Sequence, residues 1–345
     1  MPEVLVTGGS GFFGGILKRK LLDEGYSVTN IDLVADTDPH PALTHVRGDI
    51  RDSALVESVF ATRRFDAVFH TAAMLAHGGV DERVLWTSNV DGTRVLAEAA
   101  RRHGVRPFIF ISTNCLWGKN LGHAVGEEEP PAPVELYGQS KLAAEQLLAE
   151  YSGDLDVVTL RCPTIISSGR LGLLAILFEF IDEGRTVWVV GDGSNRYQFV
   201  YALDLAEACL LALGTRGSET FHVGSDNVQT LREVYEAVIR KAGSLSRVRS
   251  LPKGPTLAAM RLAHALHLSE LGPYHYRMIA EDFIFDTSKI KAQLGWRPTR
   301  DNAEMLTEAY MYYTQRRKEI ESRKDVSAHS KPASMGIIRV LKWLS

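Results

Sequence analysis

The stretch Val4-Leu5-Val6-Thr7-Gly8-Gly9-Ser10-Gly11-Phe12-Phe13-Gly14 constrains this chain more than any other. The apolar run Val4 to Val6 predicts a buried strand, and the apolar spacing from Ile16 to Leu22 predicts a helix. Gly8, Gly11 and Gly14 lie between the two, three residues apart. In that setting each lacks a Cβ for its own reason: a tight turn, close approach of backbone to a pyrophosphate, and close packing of helix on strand. The start of the helix then offers its N–H groups and positive dipole end to phosphates, with Phe12 and Phe13 bordering the same site. A second strand, Ser27 to Ile31, runs into Asp32. A carboxylate there can take both ribose hydroxyls of NAD and repel a 2′-phosphate, and no arginine follows it, so the expected cofactor is NAD rather than NADP.

With 345 residues, 45% apolar and 23% charged, the chain has ordinary globular composition and enough length for a large core. A formal net charge of −3 leaves no nucleic-acid footprint, so the expected partner is a small-molecule substrate. Cys115, Cys162 and Cys209 form neither a metal spacing nor a disulfide framework, and no metal is expected. A reducing cytoplasm suits them, and the N-terminus shows no basic-then-apolar leader. The longest apolar run, Leu171 to Ile181, contains Glu179 and is too short to span a bilayer.

After a polar loop from Asp36 to Pro41 comes Gly48-Asp49-Ile50-Arg51-Asp52. Asp49 can accept from an adenine amino group, Ile50 can pack on the ring, and Asp52 can cap the next helix. Asp66 to Ala73 reads as a strand ending in small residues, where Ala72 lets backbone approach the cofactor. One long helix is expected from about Asp81 to Arg102; Asn89 inside it is unfavourable by propensity and points to a tertiary role at the cofactor site. The strand Pro107 to Ile111 runs into Ser112-Thr113-Asn114-Cys115-Leu116-Trp117-Gly118. Chemistry in open α/β sheets sits beyond such carboxyl ends. Past the acidic, proline-rich loop from Glu127 to Pro133, Tyr137 and Lys141 stand at i and i+4, on one helix face. A strand from Val157 to Leu160 leads to Arg161-Cys162-Pro163, with Pro163 at the cofactor edge.

The expected fold is α/β, a doubly wound parallel (Rossmann) sheet with a smaller C-terminal substrate lobe. The expected organisation is an NAD-binding domain over 1–165, joined by part of 192–230, and a mainly substrate-binding lobe over 166–318. The charged, serine-rich tract from Glu319 reads as a linker. Residues Gly336 to Ser345, with Arg339, Lys342 and Trp343 among aliphatics, read as an amphipathic tail that is a candidate for peripheral membrane contact, or for docking on the core or on a partner subunit.

With the glycine turn, Asp32, Thr113 and the Tyr137-x-x-x-Lys141 spacing assembled, the chain resembles the extended short-chain dehydrogenase/reductase family, in its NAD-dependent epimerase/dehydratase group. The resemblance covers about residues 3–315 and includes Asp49-Ile50, Ser112 to Gly118 and the late turn Leu294-Gly295-Trp296-Arg297-Pro298. It implies Tyr137 as general base or acid, Lys141 lowering the phenol pKa and binding the nicotinamide ribose, and Thr113 hydrogen-bonding the reacting oxygen. The chemistry needs such a set: a free tyrosine has a pKa of ~10, so taking a hydroxyl proton near neutrality requires nearby positive charge.

The chain also departs from the family pattern. Dehydratases place an Asp-Glu pair after the catalytic hydroxyl; here Asn114 and Cys115 stand there, which disfavours 4,6-dehydration. Cys115 sits where some epimerases hold a proton-abstracting cysteine, and a buried structural cysteine is the alternative. The arginine that sugar-nucleotide members place two before the Phe of Gly191 to Phe199 is replaced by Tyr197, leaving Arg196 or Arg277 to meet a phosphate. The expected function is an NAD-dependent epimerase or oxidoreductase acting at a secondary hydroxyl of a nucleotide sugar, the alternative being a 3β-hydroxysteroid-type dehydrogenase on a lipidic alcohol. A homodimer through the helices at 81–102 and 137–151 is implied by the resemblance.

Overall fold

The computed structural model describes residues 1–36, 38–75, 80–266 and 273–322, with side chains of 273–275, 277, 321 and 322 outside the description. The expected tail from Gly336, most of the expected linker, and the side chain of Arg277 therefore lie outside the described residues.

In chain order the first half runs β1 (Glu3–Thr7), α1 (Phe12–Asp23), β2 (Ser27–Asp32), β3 (Leu43–Arg47), α2 (Ser53–Thr62), β4 (Ala67–His70), α3 (Glu82–Asn89), α4 (Asp91–Arg102), β5 (Pro107–Thr113), α5 (Leu136–Ala149) and β6 (Asp156–Cys162). The second half continues with β7 (Thr164–Ile166), α6 (Leu174–Asp182), β8 (Val187–Val190), β9 (Phe199–Tyr201), α7 (Ala202–Ala212), β10 (Glu219–His222), α8 (Leu231–Ala242), β11 (Val248–Leu251), α9 (Lys253–Ala265), α10 (Pro273–Ala280), α11 (Ser288–Leu294) and α12 (Asn302–Ser322).

Seven strands form one parallel sheet in the order β10-β6-β5-β4-β1-β2-β3. Strand order reverses between β1 and β4, and the glycine turn leaves the carboxyl end of β1 at that switch point. The sheet is buried on both faces, which is why β6 is buried from end to end rather than alternating. One face packs under α1 and α7, through Leu17, Leu21, Leu205 and Cys209. The other packs under α2, α4 and α5, through Val56, Leu96 and Ala144. A third core, rich in aromatics, joins Trp117, Phe178, Phe283, Phe285, Tyr310 and Tyr313 on the C-terminal side. The two-stranded sheets β7-β9 and β11-β8 lie within that later part. The Leu294 to Pro298 turn is pinned to α7: Trp296 Nε1 donates to the Asp204 carbonyl at 2.8 Å, and Thr299 donates to the Asp204 carboxylate.

Two helix expectations need correction. The single helix over 81–102 is two, α3 and α4, broken at Val90 (φ −103°, ψ −57°). Thr93 Oγ1 donates back to the Asn89 carbonyl at 2.7 Å, a back-bond of the kind that bends helices, while the Asn89 side chain is engaged elsewhere. The last helix, α12, continues to Ser322 with one non-helical residue, Arg316, and so enters the tract read as linker. Ile320, buried in the aromatic core, holds that final turn.

Candidate active site

The glycine turn is an interlock. Gly8 has φ +76°, and a Cβ there would lie 2.7 Å from Ala72 Cα, so the loop after β4 presses directly on the turn. A Cβ on Gly14 would lie 2.1 Å from the Gly8 carbonyl oxygen. Gly11 N donates to that oxygen at 2.9 Å, and α1 begins without a side-chain cap. The result is a tightly packed turn without Cβ atoms that leads into an uncapped helix start, which suits the pyrophosphate of NAD. At the end of β2, Asp32 accepts from Ser10 N at 3.0 Å and from Val34 N at 2.9 Å, which fixes a carboxylate with lone pairs to spare for ribose hydroxyls. Asn30, which the sequence reading passed over, holds the turn from below by accepting from Gly9 N at 2.8 Å. Two nearby cations are already neutralised. Lys18 pairs with Asp36 at 2.6 Å and Arg19 with Asp38 at 2.5 Å. Burial alone would raise the Asp36 carboxyl, but the Lys18 ammonium outweighs it and holds Asp36 below its ordinary range.

Asp49, expected to meet adenine, is clamped by Arg51, whose Nη2 lies 2.6 Å from its carboxylate; that bond holds Asp49 below the usual carboxylate range. Ile50 packs where a Cβ on Gly92 would stand, 2.7 Å from its Cδ1. Asp52 caps α2, accepting from Ala54 N and Leu55 N. The Asn89 side chain is a hub. Its Oδ1 accepts from Met74 N at 2.7 Å, and its Nδ2 donates to the Met74 carbonyl at 3.0 Å and to Ser140 Oγ at 2.9 Å. Ser140 in turn donates to the Tyr137 carbonyl at 2.8 Å. Asn89 therefore spends its amide on protein groups, tying the loop after β4 to the first turn of α5.

A second chain of bonds runs under the site. Thr93 donates its proton to the Asn89 carbonyl, so its oxygen must accept from His70 Nε2 at 2.9 Å, and His70 Nδ1 must accept from Thr7 Oγ1 at 2.8 Å. This fixes His70 as a neutral, Nε2-protonated ring. Burial, then the charge of Lys141, pushes its pKa well below the ordinary histidine value.

Thr113 ends β5, and its hydroxyl oxygen accepts from Cys115 N at 3.1 Å, leaving its proton for an acceptor in the site. Gly138, one residue after Tyr137, abuts the same turn: a Cβ there would be 2.3 Å from the Cys115 carbonyl. Tyr137 is partly exposed at the start of α5, whereas Lys141 is buried with its Nζ 3.8 Å from the Phe110 ring centroid. Tyr137 and Lys141 thus share the α5 face that meets the carboxyl end of β5. Burial pulls the Lys141 ammonium down to about 7, with Glu145 opposing from one turn away. Glu145 is itself gripped by Arg161, at 2.7 Å for the shortest contact, which ties α5 to β6. Pro163 is buried just beyond β6, and burial pushes its neighbour, the Cys162 thiol, up to about 12.

On the substrate side, Asn114 Nδ2 donates to Tyr197 Oη at 2.6 Å with both residues buried. The position expected to carry a diphosphate arginine is therefore filled by a phenol that is locked to the residue after Thr113. Cys115 is buried beside Thr113, while Arg196 is exposed and its charge acts on Glu233.

Residues 4–224 match the model of the NAD dependent epimerase/dehydratase family. An uncharacterised protein of Sinorhizobium fredii, y4nG, is 36% identical, covering 99% of this chain and 86% of its own. A dTDP-glucose 4,6-dehydratase of Streptomyces niveus is 31% identical, covering 91% of this chain and 94% of its own. Among solved structures, the UDP-glucose 4-epimerase of Thermotoga maritima with UDP-glucose superposes with a TM-score of 0.74 at 25% identity, covering 91% of this chain and 99% of that one. The named relatives' reactions differ from one another, but the family model spans well over half of the chain and relatives above 30% identity span nearly all of it, and the chain belongs to the NAD dependent epimerase/dehydratase family.

Proposed function

We propose that this chain transfers hydride between NAD and the carbon of a secondary hydroxyl on a nucleotide sugar, with Tyr137 moving the hydroxyl proton. What supports this reading is that α5, carrying Tyr137 and Lys141 at i and i+4, packs on the carboxyl end of β5: Gly138 meets the Cys115 carbonyl and Lys141 lies over the Phe110 ring. Gly8, Gly11, Gly14 and Asp32 would hold the dinucleotide, Phe12 and Phe13 would border it, and Ala72 and Pro163 would line its approach. NAD supplies the hydride acceptor and donor. Thr113 offers its free proton to the substrate oxygen. Tyr137 takes the hydroxyl proton in oxidation and returns it in reduction, and positive charge on Lys141 favours the phenolate. Asn89 acts through Ser140, holding the Tyr137 turn in register with the loop after β4. Asn114 and Cys115, standing where carboxylates would serve elimination, favour epimerisation or net redox over dehydration. Titration of the NAD-loaded protein with UDP-, dTDP-, GDP- and CDP-sugars, followed by NADH absorbance for net redox and by analysis of the product sugar for epimerisation, tests the reading. A turned-over nucleotide sugar with Tyr137→Phe inactive supports it, and inertness toward all four overturns it.

One observation favours a second reading, oxidation of a lipidic alcohol: the Asn114–Tyr197 pair fills with neutral groups a place where a diphosphate would need a cation. Turnover of solubilised 3β-hydroxysteroids in the same assay would select it.

A further inference from the structure

A surface helix ordinarily turns its apolar side to the core. The helix α9 does the reverse. Of its 13 residues only Ala263 is buried. Pro255, Ala258, Ala259, Leu262, Ala265 and the capping residue Leu266 are spaced to share one helix face, and all six are exposed. Leu262 and Leu266 are 61% and 58% exposed. The strip runs about 17 Å at a helical rise of ~1.5 Å per residue. Its flank carries Lys253, Arg261 and His264, within a larger cationic tract. No acidic residue stands between Glu236 and Glu270, whereas Arg240, Lys241, Arg247, Arg249, Lys253 and Arg261 do, and all six are exposed. Without them the net charge of −3 would be −9. The helix also stands near the candidate site. Tyr276 Oη, on α10, donates to the Met260 carbonyl of α9 at 3.0 Å. On α10 as well, Met278 Sδ lies 3.9 Å from Thr164 Oγ1, next after Pro163, and Tyr276 is within electrostatic reach of Glu135, which precedes α5.

We propose that α9 docks this protein on an anionic lipid membrane, its leucines entering the boundary between headgroups and acyl chains and its cations meeting the lipid charges. The apolar strip and the cationic tract select this occupant together. A nucleic acid would satisfy the charges and leave the leucines in water. A second copy laid on the same face would bring one cationic flank against another. The tail from Gly336 carries Arg339 and Lys342 and no acidic side chain, so it too meets like charge there. Among the described residues no helix is long and apolar enough to cross a membrane, so α9 lies along the surface. Docking in this way presents to the lipid the side of the molecule from which α10 reaches Thr164 and Glu135. It does not rest on which hydroxyl the enzyme oxidises.

The test is flotation of the full chain with vesicles of phosphatidylcholine alone and of phosphatidylcholine with about one third phosphatidylserine. The parent is expected to bind the anionic vesicles more tightly, and less so as salt is raised. Leu262→Asp combined with Leu266→Asp should weaken that binding about tenfold or more. Lys253→Gln combined with Arg261→Gln should weaken it about fivefold or more on the anionic vesicles alone. Leu203→Asp, at another exposed leucine on α7, should leave it unchanged. Unfolding midpoints without lipid are expected to match the parent's, because the exchanged side chains are exposed; the glutamine pair touches no apolar residue and still reads the proposal should the aspartates disturb α9. Three results overturn it. The parent binds neither vesicle; or both double variants bind as the parent does, which moves the contact elsewhere, to the tail for example; or the leucine pair proves to hold a dimer, seen by light scattering, with no vesicle binding.

Discussion

The cofactor side of the cleft and the substrate side are held by different physics. On the cofactor side, polar groups interlock. Asn30 holds Gly9, Asp32 holds Ser10, Asn89 holds Met74 and Ser140, and His70 bridges Thr7 and Thr93. On the substrate side, aromatic rings make up most of the packing, with the Asn114 to Tyr197 contact set among them. A polar lattice fixes geometry because each buried donor has one good acceptor and losing it is expensive. An aromatic core tolerates exchange of shape and volume more readily. A family can therefore keep its cofactor half constant in detail and vary what its other half accepts.

That contrast can be broken in four places. The largest effect is expected from Tyr137→Phe, which removes the proton carrier but no packing: turnover falls by roughly 10²- to 10⁴-fold, while NAD affinity measured by calorimetry stays near the parent's. Asn89→Ala follows. It strands the Met74 backbone pair and Ser140, so urea denaturation should show a loss of ~2–3 kcal/mol together with a lower kcat, because Tyr137 loses its register. Equal kcat in the folded variant would break the link between the loop after β4 and α5. Tyr197→Phe should lose ~1–2 kcal/mol by leaving the Asn114 amide short of its acceptor, with NAD affinity unchanged; an altered NAD affinity would show that the two sides are not separable.

The last prediction is a slope. Lys141 titrates at about 7 in the folded chain and near ~10.4 unfolded, so between those values the unfolded state binds more protons and stability rises with pH. Lys141→Met should remove that contribution. The check is the difference between parent and variant stabilities at pH 7 and pH 9.5, and a difference that does not grow with pH contradicts the burial of an uncompensated ammonium.

How much could be read in advance follows the same division. The tight turn at Gly8, Gly11 and Gly14, and Asp32 at the end of the next strand, were legible because such a turn needs its residues at fixed spacing along one short segment. Tyr137 and Lys141 were legible because one helical turn sets their distance. Asn89 stood out by its poor propensity, but the loop and serine it binds are far away in sequence, so its place as a brace required the fold. The break at Val90 depends on one threonine back-bond that leaves no periodicity signal. His70 looked like any strand residue. The Tyr197 substitution was visible, whereas the hydrogen bond to Asn114 that occupies it was not, since the two are 83 residues apart.

The bonding of His70 carries one more consequence. With Nδ1 already accepting and Nε2 already donating, this ring can take a second proton only if the Thr7 hydroxyl gives up its bond to Nδ1. The middle of the sheet is thus insulated from the mild acidity at which histidines ordinarily switch. Loss of stability in acid is therefore expected to draw on carboxylates held below their ordinary range, Asp36 and Asp49 among them, and not on this ring.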